Sequence, residues 1–206
     1  MVRLVPRWID RNLSRLEQVV SMLLVALFIG WFGHYALVMF AEAERAMLQA
    51  TVTNINTALR HQALTAAMKK DRDFYAGLQD INPMVDLQPR GELDSAVRQA
   101  GSGELDIVLY SYGILYPTAN YLGEYGAGGP QAPEGGHWYY DKTNKELVYL
   151  VRNTEYFVSE GKDEDRVRFK VVINYADANN DGEYSPAVDK FHSVRFVPLN
   201  TYSWRL

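Results

Sequence analysis

The chain contains no cysteine among its 206 residues. Disulfide bonds, thiol nucleophiles and cysteine-ligated metals are therefore excluded. Common catalytic signatures are also missing, since neither G-x-S-x-G, H-E-x-x-H nor a P-loop occurs and the carboxylates are scattered along the chain. The sequence therefore predicts a protein that is not an enzyme.

Asp, Glu, Lys and Arg are missing from residues 19–40, VVSMLLVALFIGWFGHYALVMF. A helix of this length rises about 33 Å, enough to cross the roughly 30 Å hydrocarbon core of a bilayer. We predict a transmembrane helix over residues 19–41. The alternative is a buried core helix in a soluble domain, although an uncharged run of this length is unusual in soluble folds.

Charge is distributed unevenly about this apolar run. Residues 1–18 form a leader with four Arg against two acidic residues, whereas residues 41–206 carry 17 basic and 23 acidic residues. By the positive-inside rule, this predicts a single-pass inner-membrane protein with a cytoplasmic N-terminus and a periplasmic C-terminal domain. A cleavable secretory signal is the competing interpretation, but no A-x-A-like site closes the run. The acidic outer domain disfavours nucleic acid as a partner.

Glycine and proline are absent from residues 34–76, which are rich in strong helix formers. Apolar residues recur there every three or four positions and form one helical stripe: Leu48, Val52, Ile55, Leu59, Ala63 and Ala66. We predict that the helix continues beyond the membrane over residues 42–70, and that its stripe needs a packing partner. Glu44, Gln49, Asn56 and Arg60 are predicted to lie largely on other faces.

The start of this helix is predicted at Ser14. Ser14-Arg15-Leu16-Glu17 matches the S-x-x-E capping box, in which Ser and Glu side chains satisfy the first backbone N–H groups. Glu17 would then be a cap near the positive end of the helix dipole.

Residues 71–206 are predicted to form the periplasmic domain. A short helix is expected over residues 93–100 and a loop over 117–136, which holds six Gly and three Pro. Alternating apolar residues and aromatic runs predict strands, at 105–112, 137–140, 146–152, 166–175 and 192–197. An antiparallel sheet with one apolar face, covered by the long helix, is an α+β fold.

The turn between the last two predicted strands carries a partial calcium-binding pattern. Its first half matches D-x-N-x-D-G, but Val188 stands where an EF-hand has a bidentate Glu. The candidate ligands for a possible calcium ion are Asp177, Asn179, Asp181, Glu183 and Asp189. A polar turn that binds no ion is the alternative, because Asn-Asn-Asp-Gly is itself a turn sequence.

The order of these parts resembles the type IV pilin and type II secretion pseudopilin superfamily: a basic leader, a Glu before an apolar helix, an amphipathic continuation, a loop and a terminal sheet. Residues 120–157 also resemble minor pilin-like proteins of the mannose-sensitive haemagglutinin (MSHA) pilus type. Asn120-Tyr-Leu-Gly-Glu124, Gly136-His-Trp-Tyr-Tyr-Asp141 and Leu147-Val-Tyr-Leu-Val-Arg-Asn153 carry this second similarity. The resemblance implies a pilin-like fold, and its pseudopilin branch implies calcium in place of a disulfide.

The chain departs from the processing motif of that superfamily. The family has Gly before Phe-Thr-Leu-Ile-Glu, whereas Asn12 and Arg15 replace the Gly and an apolar residue here. Glu17 corresponds to the family Glu, which is implied to pair with the amino terminus of a neighbouring subunit. Two outcomes therefore remain open: a cleaved filament subunit, or an uncut, membrane-held accessory protein.

The resulting functional prediction is a minor subunit or accessory factor in assembly of a type IV (MSHA-type) pilus or a type II secretion pseudopilus. Expected partners are the lipid bilayer and other pilin-like or assembly-platform proteins, in a hetero-oligomer. Gly30 and Gly33, one turn apart, offer a notch for close helix packing within the membrane. The alternative is a single-pass periplasmic sensor or ligand-binding module that captures its ligand at the 117–136 loop and works with a partner.

Overall fold

The longest element is a 63-residue helix, α1 (Arg7–Lys69). A computed structural model describes residues 7–71, 73–87, 120–160 and 165–205, with side chains described from residue 15 onward. The chain divides into two compact units, one ending at Ala43 and the other comprising Glu44–Arg205. Helix α1 contributes to both units.

The predicted helix start at Ser14 is wrong. Helix α1 begins at Arg7, so the whole S-x-x-E pattern lies inside the helix, where its backbone N–H groups have intrahelical partners. The physical reason is visible in the sequence, because no Gly or Pro occurs between residues 7 and 29 to stop the helix from extending toward the N-terminus. Glu17 is accordingly an interior helical residue and not a cap.

The end of α1 at Lys69 agrees closely with the predicted continuation of the helix over residues 42–70. Lys70 adopts a left-handed conformation with φ of 57°. The N–H of Lys70 donates to the carbonyl of Ala67, and the N–H of Asp71 donates to that of Ala66. These two bonds form a Schellman motif, which satisfies carbonyls that the last turn would otherwise leave unpaired.

The first unit consists of the N-terminal part of α1. Its large apolar side chains are exposed, including Leu23, Phe28 and Trp31. By length and composition this helix is able to cross a membrane. None of its most apolar window is buried within the described part of the protein, whereas the core helix of a soluble domain is mostly buried.

Two short helices, α2 (Asp73–Gly77) and α3 (Pro83–Asp86), follow α1 in the second unit. The described residues of this unit form seven strands: β1 (Tyr121–Tyr125), β2 (His137–Asp141), β3 (Glu146–Leu150), β4 (Phe157–Ser159), β5 (Arg166–Ala176), β6 (Lys190–Pro198) and β7 (Tyr202–Trp204). The larger of two sheets has the order β1-β2-β3-β5-β6, and β4 pairs with β7 in a separate two-stranded sheet.

The predicted helical stripe is confirmed as part of the core. Leu48, Ile55 and Leu59 are fully buried, in one cluster with Phe169 of β5 and Phe196 of β6. Side chains along β5 alternate between buried and more exposed, as expected for a strand with one face covered by a helix. The α+β class is therefore correct.

The observed strands differ from the predicted ones in three respects. The sheet is mixed and not purely antiparallel, because β1 runs parallel to β2. Strand β1 lies within the segment predicted as a loop, where Gly123 with φ of 107° and an irregular register hide the strand pattern. Strands β4 and β7 were not predicted. The predicted helix at 93–100 and strand at 105–112 lie outside the described residues.

Candidate functional site

The second unit begins with a buried acidic side chain, that of Glu44, which is 6% exposed. Its Oε1 accepts hydrogen bonds from the Tyr149 hydroxyl at 2.8 Å and the Arg152 backbone N–H at 2.7 Å. Its Oε2 accepts from the backbone N–H of Asn153 at 2.9 Å and from the Asn153 side-chain amide at 2.6 Å. Both carboxylate oxygens therefore have two donors each, and we call this arrangement the Glu44 clamp.

The Glu44 clamp joins α1 to the end of β3 and to the residues directly after it. Burial raises the pKa of Tyr149, and the negative charge of Glu44 and the hydrogen bond to it raise that pKa further. Hydrogen bonds to an ionised group are stronger than neutral ones, so four of them offset the cost of burying the carboxylate. The arrangement can fix the position of the sheet on the helix.

A second polar contact joins α1 to the edge of the sheet. The Asn56 side chain accepts from the Phe196 N–H at 2.9 Å and donates to the Phe196 carbonyl at 3.2 Å. Among the strands that the structure describes, β6 is the last of its sheet, so these two backbone groups have no described strand beside them to bond. Asn56 supplies both partners and protects this edge. The prediction that Glu44 and Asn56 lie on other faces is wrong.

The sequence contained a signal for both residues. Glu44 precedes Leu48 by four positions, and Asn56 follows Val52 by four, so each lies on the same helical face as the stripe. Because both side chains are polar, the sequence favours solvent-exposed positions for them. Their hydrogen-bond partners are more than one hundred residues away in the chain. Sequence spacing alone does not identify such distant donors.

The acidic turn brings three of the five candidate calcium ligands together. Carboxylate oxygens of Asp177, Asp181 and Asp189 lie within 4.8 Å of one another. Asp189 is buried and accepts from the backbone N–H groups of Ala178 and Ser185, at 2.9 and 2.7 Å. The three carboxylates are close enough for one cation to bind them all.

The same turn also has internal hydrogen bonds that can hold its shape without an ion. Asp177 accepts from the N–H groups of Asn180 and Gly182, at 2.7 and 2.9 Å. The Asn179 side-chain amide donates to Asp181 at 2.6 Å, and Glu183 is exposed and outside the three-carboxylate group. These are the bonds of a polar Asx-rich turn. Calcium therefore remains a prediction for this loop.

The three candidate assembly residues all lie in the first unit. Glu17 is exposed on α1. A Cβ atom added to Gly30 or Gly33 would meet nothing within 4 Å, so the space beside both glycines is open. Such open positions would allow another helix to approach closely.

The described part of the predicted 117–136 loop lies against the outer face of β2 and β3. A Cβ atom at Gly129 would meet the Tyr139 ring at 2.8 Å, and one at Gly135 would meet the Arg152 backbone at 2.5 Å. The Gly136 N–H also donates to the Leu150 carbonyl at 2.6 Å. Glycine is required at positions 129 and 135 because the backbone approaches its neighbours so closely.

Comparisons with protein-family models, with curated proteins and with solved structures found no match to this chain.

Proposed function

We propose that the chain is a membrane-anchored, pilin-like protein that takes part in assembly of a type IV pilus of the MSHA type or of a type II secretion pseudopilus. Its role would be that of a minor subunit or an accessory factor. The anchor would cross the inner membrane once, with the second unit in the periplasm. Function would then depend on association of helices and domains, with no chemical step.

The observation that carries this proposal is the double use of one helix. Residues 19–40 of α1 are apolar and exposed, whereas Leu48, Ile55 and Leu59 of the same helix are buried under a sheet. A helix that needs lipid over one part and a sheet over the next is suited to a subunit that is held in the membrane before it is assembled.

The Glu44 clamp and the Asn56 contact add to this support. Both fix the sheet on α1 through hydrogen bonds that are specific in register, in addition to apolar packing. An assembly subunit needs a defined position of its domain on its helix, because neighbouring subunits contact both parts. Polar groups buried with matched partners provide such specificity.

The sensor alternative receives less support from the described residues. Gly129 lies against the Tyr139 ring, and Gly135 and Gly136 lie against Arg152, so these three loop positions are packed on β2 and on the residues directly after β3. A ligand would have to bind at other positions of the loop or elsewhere in the chain.

Co-purification from the native membrane tests the proposal. The full-length chain with a C-terminal affinity tag is cross-linked in cells and purified, and bound proteins are identified by mass spectrometry. Recovery of pilin-like or assembly-platform proteins is expected. Recovery of none of them, with a small molecule retained instead, would favour the sensor alternative and contradict the proposal.

The glycine notch provides a matched pair of variants for this experiment. Gly33→Leu fills open space on α1 and should reduce recovery of partner proteins, because it prevents close helix approach. Ser21→Leu adds a similar side chain on a different face of the same helix, about 120° around from Gly33, and should leave recovery unchanged. The mass of the mature chain, measured in the same preparation, distinguishes a cleaved filament subunit from an uncut accessory factor.

A further inference from the structure

The apolar run of α1 contains a histidine, His34. It comes six residues before Phe40, the last residue of the run, so its Cα lies about 9 Å from that end of the run. Side chains of a helix tilt toward its N-terminus, and the imidazole of His34 is therefore directed further into the run and away from its end. A membrane that holds residues 19–40 surrounds this ring with hydrocarbon.

The imidazole of His34 needs hydrogen-bond partners that α1 does not supply. Among the described residues it has no hydrogen-bond partner, and it is exposed on the helix. A neutral imidazole carries one N–H donor and one acceptor nitrogen. Hydrocarbon satisfies neither group, so a polar residue inside a membrane span favours a partner on another helix.

Small residues lie on the same helical face as His34. Ala26, Gly30 and His34 follow one another at intervals of four residues, so they form one row along α1. A Cβ atom added to Gly30 would meet nothing within 4 Å, and the His34 side chain tilts toward this open turn. Small residues spaced by four allow two membrane helices to approach closely, and polar side chains beside them then form interhelical hydrogen bonds.

The opposite face of the same turns is bulky. The ring centroids of Phe28 and Phe32 lie 6.3 Å apart, and those of Trp31 and Tyr35 lie 6.2 Å apart. Phe28 and Phe32 are each two residues from Gly30, and therefore about 160° around the helix from it. These rings keep a neighbouring helix at a distance, so close approach favours the face of small residues.

We propose that α1 associates with the same helix of a second copy of the chain, with Ala26, Gly30 and His34 at the contact and a hydrogen bond between the two His34 rings. A two-fold axis between identical parallel helices brings residue 34 of both copies to the same depth. One ring then donates its N–H and the other accepts, so the pair is complete without any further polar residue. A helix of another protein matches His34 only if it carries a polar group at that depth.

The proposal rests on the membrane anchoring contained in the proposed function, and it names one partner of the helix notch. Energy transfer between copies of the full-length chain in phosphatidylcholine vesicles tests it. The absence of cysteine allows a single label site, and Asn54→Cys places a dye at an exposed position of α1 outside the apolar run. Donor-labelled and acceptor-labelled chains are mixed, and the protein-to-lipid ratio is lowered stepwise. Energy transfer above the level of random proximity is expected.

Variants of the labelled chain test the role of the imidazole. His34→Leu should move the midpoint of dissociation to a protein-to-lipid ratio about 3- to 20-fold higher, the range that one interhelical hydrogen bond provides. His34→Gln keeps a donor and an acceptor and should retain most of the association. Tyr35→Phe is the matched control, because it removes a hydroxyl at nearly the same depth but on the aromatic face, and it should leave the midpoint unchanged.

Equal midpoints for the labelled chain with His34 and for His34→Leu would overturn the proposal. Energy transfer no higher than random proximity, with the chain inserted in the vesicles, would overturn it as well. In both cases recovery of pilin-like proteins by co-purification would leave the proposed function standing. Failure of the chain to insert would overturn the membrane anchoring and this proposal together.

Discussion

Replacement of Glu44 by Gln should destabilise the second unit strongly. The amide keeps the shape of the side chain but turns one acceptor oxygen into a donor. If the NH2 group faces Tyr149, the hydroxyl can rotate and accept, but the Arg152 N–H is left without a partner. If the NH2 group faces Asn153 instead, the Asn153 side-chain amide can flip so that its oxygen accepts, but the backbone N–H of Asn153 is left without an acceptor.

The expected loss in free energy of unfolding follows from these two orientations of the Gln amide. Either one leaves a buried backbone donor unsatisfied, which costs about 1–3 kcal/mol, and the remaining hydrogen bonds lose their ionised acceptor. The expected loss in free energy of unfolding is about 2–4 kcal/mol for Glu44→Gln. It is larger for Glu44→Ala, which removes the acceptors for all four donors.

Denaturant unfolding of the full-length chain in detergent measures this loss. Near-ultraviolet circular dichroism reports the aromatic core, where the ring centroids of Trp138 and Tyr149 lie 4.8 Å apart. Glu155→Gln is the control, because Glu155 is an exposed carboxylate in the same region and should change stability by less than about 0.5 kcal/mol. If Glu44→Gln and Glu155→Gln unfold at the same denaturant concentration, the clamp does not stabilise the fold.

Three further predictions concern other parts of the second unit. Burial and the nearby Asp80 raise the pKa of Tyr140 to about 12. The stability that this shift contributes is therefore complete below pH 10 and is lost as the pH rises toward 12. In urea unfolding at pH 9–12, Tyr140→Phe should reduce the dependence of the unfolding free energy on pH. Gly135→Ala should cost about 1–3 kcal/mol by clash with the Arg152 backbone, whereas Gly126→Ala, which meets open space, should cost far less; equal melting temperatures would contradict the close approach. Millimolar calcium should raise the melting temperature if the acidic turn binds it, and Asp181→Asn should remove the rise; no shift with the unmodified chain would leave the turn as a hydrogen-bonded structure only.

Periodicity predicted the parts of the fold in which burial follows a regular repeat. The stripe of α1 and the alternation along β5 were found because one face of each element is apolar over many residues. The helix end at Lys69 was also found closely, since Gly77 and the polar residues before it bound the pattern. Strand β1 was missed, because five residues containing a Gly with positive φ carry no usable repeat.

The candidate site was less accessible from sequence for a different reason. Polar residues such as Glu44 and Asn56 are buried only because donors from distant strands meet them, and spacing within one helix does not reveal those donors. The acidic turn was identified because its ligands are close in sequence, and three of the five predicted side chains do converge. Local sets are therefore predictable, whereas long-range polar contacts need the structure.

Hydrogen exchange of the full-length chain in lipid nanodiscs tests the central claim most directly, namely that one helix serves as membrane anchor and as domain core. Strong amide protection is predicted over residues 19–40, shielded by lipid, and also over residues 48–66, shielded by the sheet. Rapid exchange over residues 48–66 while β5 stays protected would contradict the packing of helix on sheet. Rapid exchange over residues 19–40 would contradict the anchor.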